Sequence, residues 1–343
     1  MKYFAFQWHI TDECDQRCKH CYIFSEAENK PIDSMSFDQM RLVLSKCEAF
    51  CALFGRVPYF YVTGGDPVLH KDFWRLAELL KSKSIAFTLM GNPFHLNDSV
   101  CARLRALGCE KYQMSLDGTR LTHDKIRKPG SFDAVLEKIP VVNRSGIRSV
   151  IMTTVSSMNI EEIPQIIDIA AQAGVKVFAF ARYCPVSREK STGISPEEYR
   201  NLLAVCDKKF KEYERSDCET YFNRKDHLWT LYEYERGDFK IPPDAQKGMI
   251  YSGCNCGNSH LTILPTGEIY ACRRVQNSLV GNIFADDLAE IWLTKMEKYR
   301  DYTRFKKCSS CELLAFCRGC PAVAAGTHGD FYDPDPQCWK KTD

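Results

Sequence analysis

Six strand patterns alternate with six helical patterns over the first 215 residues of this 343-residue chain. The strands are predicted from short aromatic and β-branched runs, which are typical of strands buried on both faces. The helices are predicted from apolar residues at helical spacing. Repeated strand–helix units imply parallel strands joined by right-handed crossovers. The fold class is therefore α/β, with either an open doubly wound sheet or a barrel, complete or partial.

The boundaries of these elements follow from where the apolar patterns begin and end. The strands are predicted over 4–10, 59–63, 87–90, 112–116, 150–155 and 177–181. The helices are predicted over 37–54, 70–83, 99–107, 132–145, 160–173 and 196–213. Several helices open with a residue that can accept a hydrogen bond as an N-cap; these are Ser36, Asn97, Ser131, Asn159 and Ser195.

The strand–helix rhythm ends near residue 216. Residues 216–250 are charged and aromatic and are expected to bridge the barrel, 1–215, to a small cysteine-rich domain, 251–343. That last region predicts a hairpin turning at Pro265-Thr266-Gly267 and one helix over 288–299. It has little apolar material, so metal sites are expected to supply much of its stability.

Composition narrows the setting of the chain. The net charge is +2, from 46 basic and 44 acidic residues, which gives no case for nucleic acid or an anionic membrane surface as partner. We find no apolar run long enough to span a membrane and no signal peptide, so we expect a cytoplasmic protein. The chain has 18 cysteines. In a reducing compartment, clustered cysteines are more often metal ligands than disulfides.

Three of the cysteines, Cys14, Cys18 and Cys21, follow the first predicted strand directly. The carboxyl edge of a parallel sheet is where ligands bind. Three thiolates can hold an iron–sulfur cluster and leave one iron open for a ligand. The alternative is a zinc loop with a fourth ligand from among Asp12, Asp15 and His20.

A second motif, Thr63-Gly64-Gly65-Asp66-Pro67, ends the second predicted strand. Its glycines allow the backbone to approach a ligand closely, and Asp66 adds a carboxylate near a bound amine. The motif lies one strand–helix unit after the cysteine loop, so both belong to the same edge of the sheet.

These two motifs, CDQRCKHC and TGGDP, resemble the radical S-adenosylmethionine (SAM) superfamily. The resemblance implies a partial (β/α)6 barrel with a [4Fe–4S] cluster on the three cysteines. Such enzymes cleave SAM reductively to a 5′-deoxyadenosyl radical. By the same resemblance His20 lies near the adenine, and Gly64, Gly65 and Asp66 contact the methionine amino group. Aspartate replaces the commoner glutamate and keeps the charge.

Other strand ends resemble SAM-contacting positions of the same family. Ser115, and after it Asp117, match the ribose-contacting stretch of the fourth strand. Asn92 closes the third strand and Thr153 lies in the fifth. Arg182, beyond the sixth, resembles a position that contacts the SAM carboxylate or the substrate. Ordinary polar packing at strand ends is the alternative for these residues.

Eight cysteines near the C-terminus are enough for two four-thiolate sites, of iron–sulfur or zinc type. Their pattern resembles the SPASM domain, which carries auxiliary clusters in radical SAM enzymes. One departure is Cys317-x2-Cys320, where the family has three intervening residues. The resemblance implies three [4Fe–4S] clusters in all. Auxiliary cluster I takes Cys254 and/or Cys256, Cys272 and Cys320, one of the close pair being a possible spare; auxiliary cluster II takes Cys308, Cys311, Cys317 and Cys338.

The SPASM resemblance favours a peptide substrate, with hydrogen abstraction from a side chain or Cα and formation of a thioether or carbon–carbon crosslink in a ribosomally synthesised peptide. A low-potential electron donor of flavodoxin or ferredoxin type is the expected partner. The sequence assigns no catalytic acid or base; the candidates are Arg182, Cys184 and Arg273.

Three alternatives remain open from the sequence. Formylglycine-forming relatives carry an aspartate where this chain has Arg273, and tetrapyrrole-modifying relatives share both halves. An iron–sulfur or zinc binding protein without enzymatic activity is the third. The first strand is expected from residue 4, so a peptide leader would be recognised by a separate protein or another surface, or there is no leader.

Overall fold

The computed structural model describes residues 2–24, 30–186, 193–246 and 248–341. Seven parallel strands follow one another in the sheet in chain order, β1 to β7. A doubly wound sheet would reverse its order at a switch point, whereas consecutive order is that of a barrel. Among the described residues β7 and β10 are the sheet edges, so the barrel is partial. The structure thus confirms the α/β partial-barrel prediction.

The first six strands agree with prediction to within a few residues. They are β1 (Tyr3–Thr11), β2 (Val57–Gly64), β3 (Phe87–Met90), β4 (Cys109–Ser115), β5 (Arg148–Val155) and β6 (Val177–Arg182). A short β7 (Tyr221–Asn223), not predicted, pairs with β6 and extends the sheet into the expected bridging segment.

The helices pack outside this sheet and bury their apolar stripes against it. They are α1 (Phe37–Leu53), α2 (Phe73–Ser82), α3 (Asp98–Ala106), α4 (Arg120–Ile126), α5 (Ser131–Arg144), α6 (Ile163–Gln172), α7 (Pro196–Glu214) and α8 (Leu228–Arg236). Ser36 and Ser195 form complete capping boxes, and Asn97 caps α3. Ser131 and Asn159 do not cap: Gly130 precedes α5, and the Asn159 side chain bonds the backbone elsewhere.

The C-terminal region joins the same sheet through its hairpin. Strand β8 (His260–Ile263) runs parallel to β1, and β9 (Glu268–Tyr270) and β10 (Leu279–Asn282) continue antiparallel. The predicted hairpin is confirmed. The predicted helix over 288–299 is a single α-turn, α9 (Leu288–Glu290), followed by π and 3₁₀ turns, and α10 (Pro321–His328) was not predicted.

Because β8 pairs with β1, the cysteine-rich region is brought beside the strand that leads into the first cysteine loop. Within the part of the chain that the structure describes, we find no helix both long and apolar enough to cross a membrane.

Candidate active site

The first cysteine loop leaves β1 and folds back at Cys18, whose carbonyl accepts a hydrogen bond from the Cys21 amide at 3.0 Å. Two of its thiols have nitrogen donors. The side-chain amide of Asn92 donates to Cys14 Sγ at 3.3 Å, and the Arg127 guanidinium lies 3.7 Å from Cys18 Sγ. Burial raises the pKa of Cys14, and that of Cys18 to about 11. A bound metal is therefore needed to hold these thiols as thiolates.

The two glycines of the second motif pack against the cysteine loop itself. A Cβ on Gly64, where φ is +132°, would lie 2.0 Å from the Thr11 carbonyl oxygen. A Cβ on Gly65 would lie 2.0 Å from that of Glu13. The Gly65 and Asp66 amides donate to the same two carbonyls at 2.8 and 2.7 Å. The glycines thus fix the position of the cysteine loop relative to β2, a role beyond the ligand approach expected from the sequence.

Asp66 is fully buried beneath this loop. Its carboxylate accepts hydrogen bonds from the backbone N–H groups of Val68 and Asn92 at 3.3 and 3.4 Å. Burial, and after it the nearby charge of Asp15, nevertheless raises its pKa to about 7. An uncompensated buried carboxylate favours a cationic ligand, because a cation removes the cost of its charge.

On the opposite side of the loop, Asp117 forms a buried polar cluster. It accepts hydrogen bonds from Arg127 Nε at 2.6 Å and from the Thr154 amide at 2.7 Å, and His20 lies 3.6 Å away. Burial alone would raise the pKa of Asp117, but Arg127 and then His20 hold it below its usual value. Burial lowers the pKa of His20 to about 4, so this imidazole is neutral near pH 7.

The remaining predicted contacts divide by exposure. Ser115 is half-buried at the end of β4. Thr153 is fully buried, and its hydroxyl donates to the Leu116 carbonyl at 2.7 Å. Asn92 also donates to Asp15 at 2.6 Å, so its amide orders the cysteine loop. Thr153 is a packing residue, whereas Ser115 stays available to a ligand.

Arg182 does not face the site, contrary to expectation. Its side chain is fully buried and binds two carboxylates: Asp226 through Nε and Nη2 at 3.0 and 3.2 Å, and Asp335 through Nη1 and Nη2 at 2.5 and 2.8 Å. Nη1 also donates to Gln337 at 2.9 Å. A guanidinium with all these partners cannot contact SAM or a substrate, and its role is to join the barrel to the C-terminal segment.

The C-terminal cysteines form two groups whose charges act on one another. The first, auxiliary group I, contains Cys254, Cys256, Cys272 and Cys320. The second, auxiliary group II, contains Cys308, Cys311, Cys317 and Cys338. These are the two interleaved sets expected from the sequence. Cys184, from the barrel, belongs with the first group, because the Cys320 thiol lowers its pKa and the Arg274 guanidinium lies 3.8 Å from its sulfur.

Family models match both halves of the chain. The radical SAM superfamily matches residues 8–170, and the SPASM iron–sulfur cluster-binding domain matches residues 254–321. The chain belongs to the radical SAM superfamily. The first match contains the first cysteine loop, and the second contains the C-terminal cysteines from Cys254 to Cys320. Cys184 and Cys338 lie outside both matches.

Known relatives extend along almost the whole chain. The AdoMet-dependent heme synthase of Methanosarcina barkeri is 26% identical over 340 residues, 96% of this chain and 95% of that protein. Mycofactocin maturase MftC of Mycobacterium tuberculosis is 25% identical over 96% of this chain and 81% of its own length. Among solved structures, Streptococcus suis SuiB bound to S-adenosylmethionine superposes with a TM-score of 0.75 at 19% identity, covering 99% of this chain and 78% of SuiB.

The spacing of the thiols suits iron–sulfur cubanes better than zinc. A tetrahedral zinc site with Zn–S bonds of about 2.3 Å brings its sulfurs to roughly 4 Å from one another. Across the described segments, no three cysteine sulfurs lie within 4.8 Å of one another. A cubane spreads its thiolates over separate iron atoms, and so fits a wider group. The first loop supplies three thiols and each C-terminal group at least four.

The first cysteine loop and auxiliary group I are joined by two arginines that follow Cys272. The Arg273 guanidinium lies over the Tyr22 ring at 4.7 Å, and Tyr22 is the residue after Cys21. The charge of Arg274 acts on His20 and on Cys272. Two cysteine sets about 250 residues apart in sequence therefore face the same space.

Lys225 and Arg274 border that space and together form what we call the cationic wall, which the sequence did not indicate. Lys225 is solvent-exposed by surface area, but many protein atoms surround its side chain. The desolvation that they cause, and after it repulsion from Arg274, lowers the pKa of Lys225 to about 8. Its Nζ lies 4.0 Å from Met152 Sδ of β5. Burial, and after it the charges of Lys225 and Arg274, lowers the pKa of His260 to about 4. Lys225 therefore lies beside β5, with Arg274 and His260 among the groups near it.

A cavity of about 270 Å³ opens beside this space, between the barrel mouth and the β8–β9 turn. It is lined by Tyr22, Arg273, Tyr270 and Lys30 among others. Tyr22 follows Cys21 and Arg273 follows Cys272, so the cavity lies beside residues that adjoin both cysteine groups.

Sequence reasoning missed two further groups of residues. Arg127 and Lys128, just after α4, contact the first cysteine loop, Lys128 Nζ lying 3.5 Å from Asp15. Their signal was the basic pair that follows the Asp117-Gly118 turn. Lys225 carried no signal, because only the three-dimensional path of β7 brings it into the barrel.

Proposed function

We propose that this radical SAM enzyme abstracts hydrogen from a side chain or Cα of a peptide and closes a thioether or carbon–carbon crosslink in a ribosomally synthesised peptide. The observation that carries the proposal is the shared space between the first cysteine loop and auxiliary group I, bridged by Arg273 and Tyr22. When bound, SAM and its cluster supply a 5′-deoxyadenosyl radical, and the auxiliary clusters supply an acceptor for the electron left after hydrogen and proton loss.

The protein's own residues hold SAM and shape the reaction space. Asp66 pairs with the ammonium group of the methionine part, and neutral His20 packs near the adenine. Ser115 contacts the ribose, while Asp117 orients His20 and Arg127. The positive charges of Lys225 and Arg274, which act on one another, attract a substrate carboxylate.

The peptide assignment is supported by relatives. SuiB has been solved bound to its precursor peptide SuiA, with a TM-score of 0.72 to this chain. MftC is a maturase by name and aligns over 96% of this chain. Formylglycine formation is disfavoured, because Arg273, stacked on Tyr22, stands where the formylglycine-forming relatives carry their aspartate base.

Tetrapyrrole modification is the second candidate. The heme synthase of M. barkeri aligns over 95% of its length, and an acidic tetrapyrrole would satisfy the same Lys225–Arg274 wall. Both substrate classes present carboxylates, so the cationic wall alone does not separate them.

Electron delivery is proposed at auxiliary group II. Cys338 borders a surface groove of about 870 Å³ that is also lined by Lys307, Lys340 and Lys341. A basic surface beside a cluster suits a small acidic flavodoxin or ferredoxin, because complementary charge accelerates encounter.

The test is made with anaerobically reconstituted enzyme, SAM and dithionite. We expect 5′-deoxyadenosine by mass spectrometry, absent in the Cys14→Ala variant. Candidate peptides encoded beside the gene are then added in one arm and Fe-coproporphyrin III in the other. Loss of two hydrogen masses from a peptide supports the first proposal. Loss of carbon dioxide together with two hydrogen masses from the tetrapyrrole, with peptides unchanged, overturns it in favour of the second.

A further inference from the structure

Auxiliary group I contains five thiols, although a cubane has only four irons. The fifth, Cys184, follows β6 by two residues and is 9% exposed. The Arg274 guanidinium lies 3.8 Å from its sulfur, and the Cys184 and Cys320 thiols shift each other's pKa, that of Cys184 downward and that of Cys320 upward. Cys184 lies outside both family matches, 8–170 and 254–321.

The contact between Cys184 and Cys320 is held by buried structure on both sides. Arg182, two residues before Cys184, binds Asp335, and the other oxygen of Asp335 accepts the Cys320 amide at 2.6 Å. On the following helix α10, a Cβ on Gly326 would lie 2.0 Å from the Pro185 carbonyl oxygen. The segments that carry Cys184 and Cys320 are therefore locked together, and the two thiols cannot easily separate.

The position of Arg274 distinguishes four of the five thiols. Its guanidinium lies 3.8 Å from Cys184 Sγ, and its charge also interacts with those of Cys254, Cys272 and Cys320. Cys256 is 6% exposed; burial, and after it the Cys256 charge, raises the pKa values of Tyr299, Tyr302 and Tyr332, although Cys272 also acts on Tyr299 and Cys254 on Tyr302. A cation beside four thiolates offsets part of the negative charge of the cluster they would hold.

We propose that Cys184 ligates auxiliary cluster I together with Cys254, Cys272 and Cys320, and that Cys256 is a buried structural thiol. The ligand comes from the barrel, so the cluster joins strand β6 to the SPASM domain by a metal–thiolate bond. All four irons are then held by protein. This closes the cluster to a substrate thiolate and leaves it an electron-transfer role. The inference rests on the family assignment and is independent of the substrate.

The experiment isolates the auxiliary clusters in a Cys14/Cys18/Cys21→Ala background, which should retain about eight irons, two cubanes. In that background we compare Cys184→Ala and Cys256→Ala, with Cys206→Ala, a buried thiol on α7, as matched control. Iron and sulfide content and the electron paramagnetic resonance (EPR) spectrum of the reduced protein are measured. We expect Cys184→Ala to lose up to about four irons or form a three-iron cluster, while the other two keep eight and an unchanged spectrum.

Retention of eight irons and an unchanged spectrum in Cys184→Ala, with loss in Cys256→Ala, overturns the proposal. If Cys184→Ala loses all its iron, the Cys184→Ser variant decides. A serine oxygen on the cluster shifts the EPR g-values of one cluster only, and the unshifted second cluster shows that the domain has folded. An unshifted Cys184→Ser spectrum would again overturn the assignment.

Discussion

The buried Arg182 network gives a prediction whose size follows from the structure. Replacing Arg182 with Met removes five hydrogen bonds and leaves two buried carboxylates, Asp226 and Asp335, each at most 3% exposed. Breaking a buried pair in this way costs about 3–5 kcal/mol. An unfolding entropy of about 2.1 cal/mol/K per residue gives about 0.7 kcal/mol/K for a chain of this length. We therefore expect the melting temperature to fall by about 4–7 °C.

The assay is differential scanning calorimetry of the cluster-loaded protein under anaerobic conditions, at one fixed scan rate because unfolding of such proteins is seldom reversible. The matched control is Lys83→Met, which breaks an exposed pair with Glu48 at 3.0 Å. An exposed pair contributes less than about 1 kcal/mol, so this variant should move the midpoint by no more than about 1 °C. If Arg182→Met melts within a degree of Lys83→Met, the network does not join the two halves as argued.

Three further outcomes can be checked. Burial raises the Asp66 pKa to about 7, so its carboxylate is protonated below that pH. We therefore expect SAM affinity, measured by anaerobic calorimetry, to fall up to about tenfold from about pH 8 to 6. The Asp66→Asn variant should bind SAM weakly and without this pH dependence. Gly64→Ala places a Cβ 2.0 Å from a backbone oxygen and should remove about four irons by chemical assay, whereas Gly55→Ala, with positive φ but open space, should keep them. Lys340→Glu should slow reduction of the enzyme by an acidic flavodoxin roughly tenfold at low salt, and the difference should shrink as salt rises; equal rates at low salt would exclude the proposed docking groove.

The sequence predicted the barrel strands because each is a short apolar run bounded by turn residues. That pattern depends only on local chemistry. The capping of α1, α3 and α7 was predictable for the same reason, since an N-cap bonds the backbone three residues away. Ser131 failed as a cap because the preceding Gly130, at φ +79°, makes the turn into α5.

Long-range pairing could not be predicted from spacing. Arg182 follows a strand and so matched a ligand-contacting position, yet its carboxylate partners come from residues 226 and 335, far along the chain. The same holds for Lys225, which enters the barrel only because the short strand β7 pairs with β6. Charged residues whose partners are distant in sequence carry no local signal of their surroundings.

Two of the long-range contacts between the C-terminal region and the barrel differ in strength. Arg273 stacks on Tyr22 beside the first cysteine loop, and Asp335 binds Arg182 at the end of β6. One contact is a cation over an aromatic ring and can be exchanged for substrate contact at modest cost. The other is a buried ion pair whose separation costs several kcal/mol. Tyr22 and Arg273 both line the 270 Å³ cavity, so the weaker of these two contacts lies at the cavity, whereas the stronger Arg182–Asp335 pair holds the end of β6 against the segment that follows Cys320.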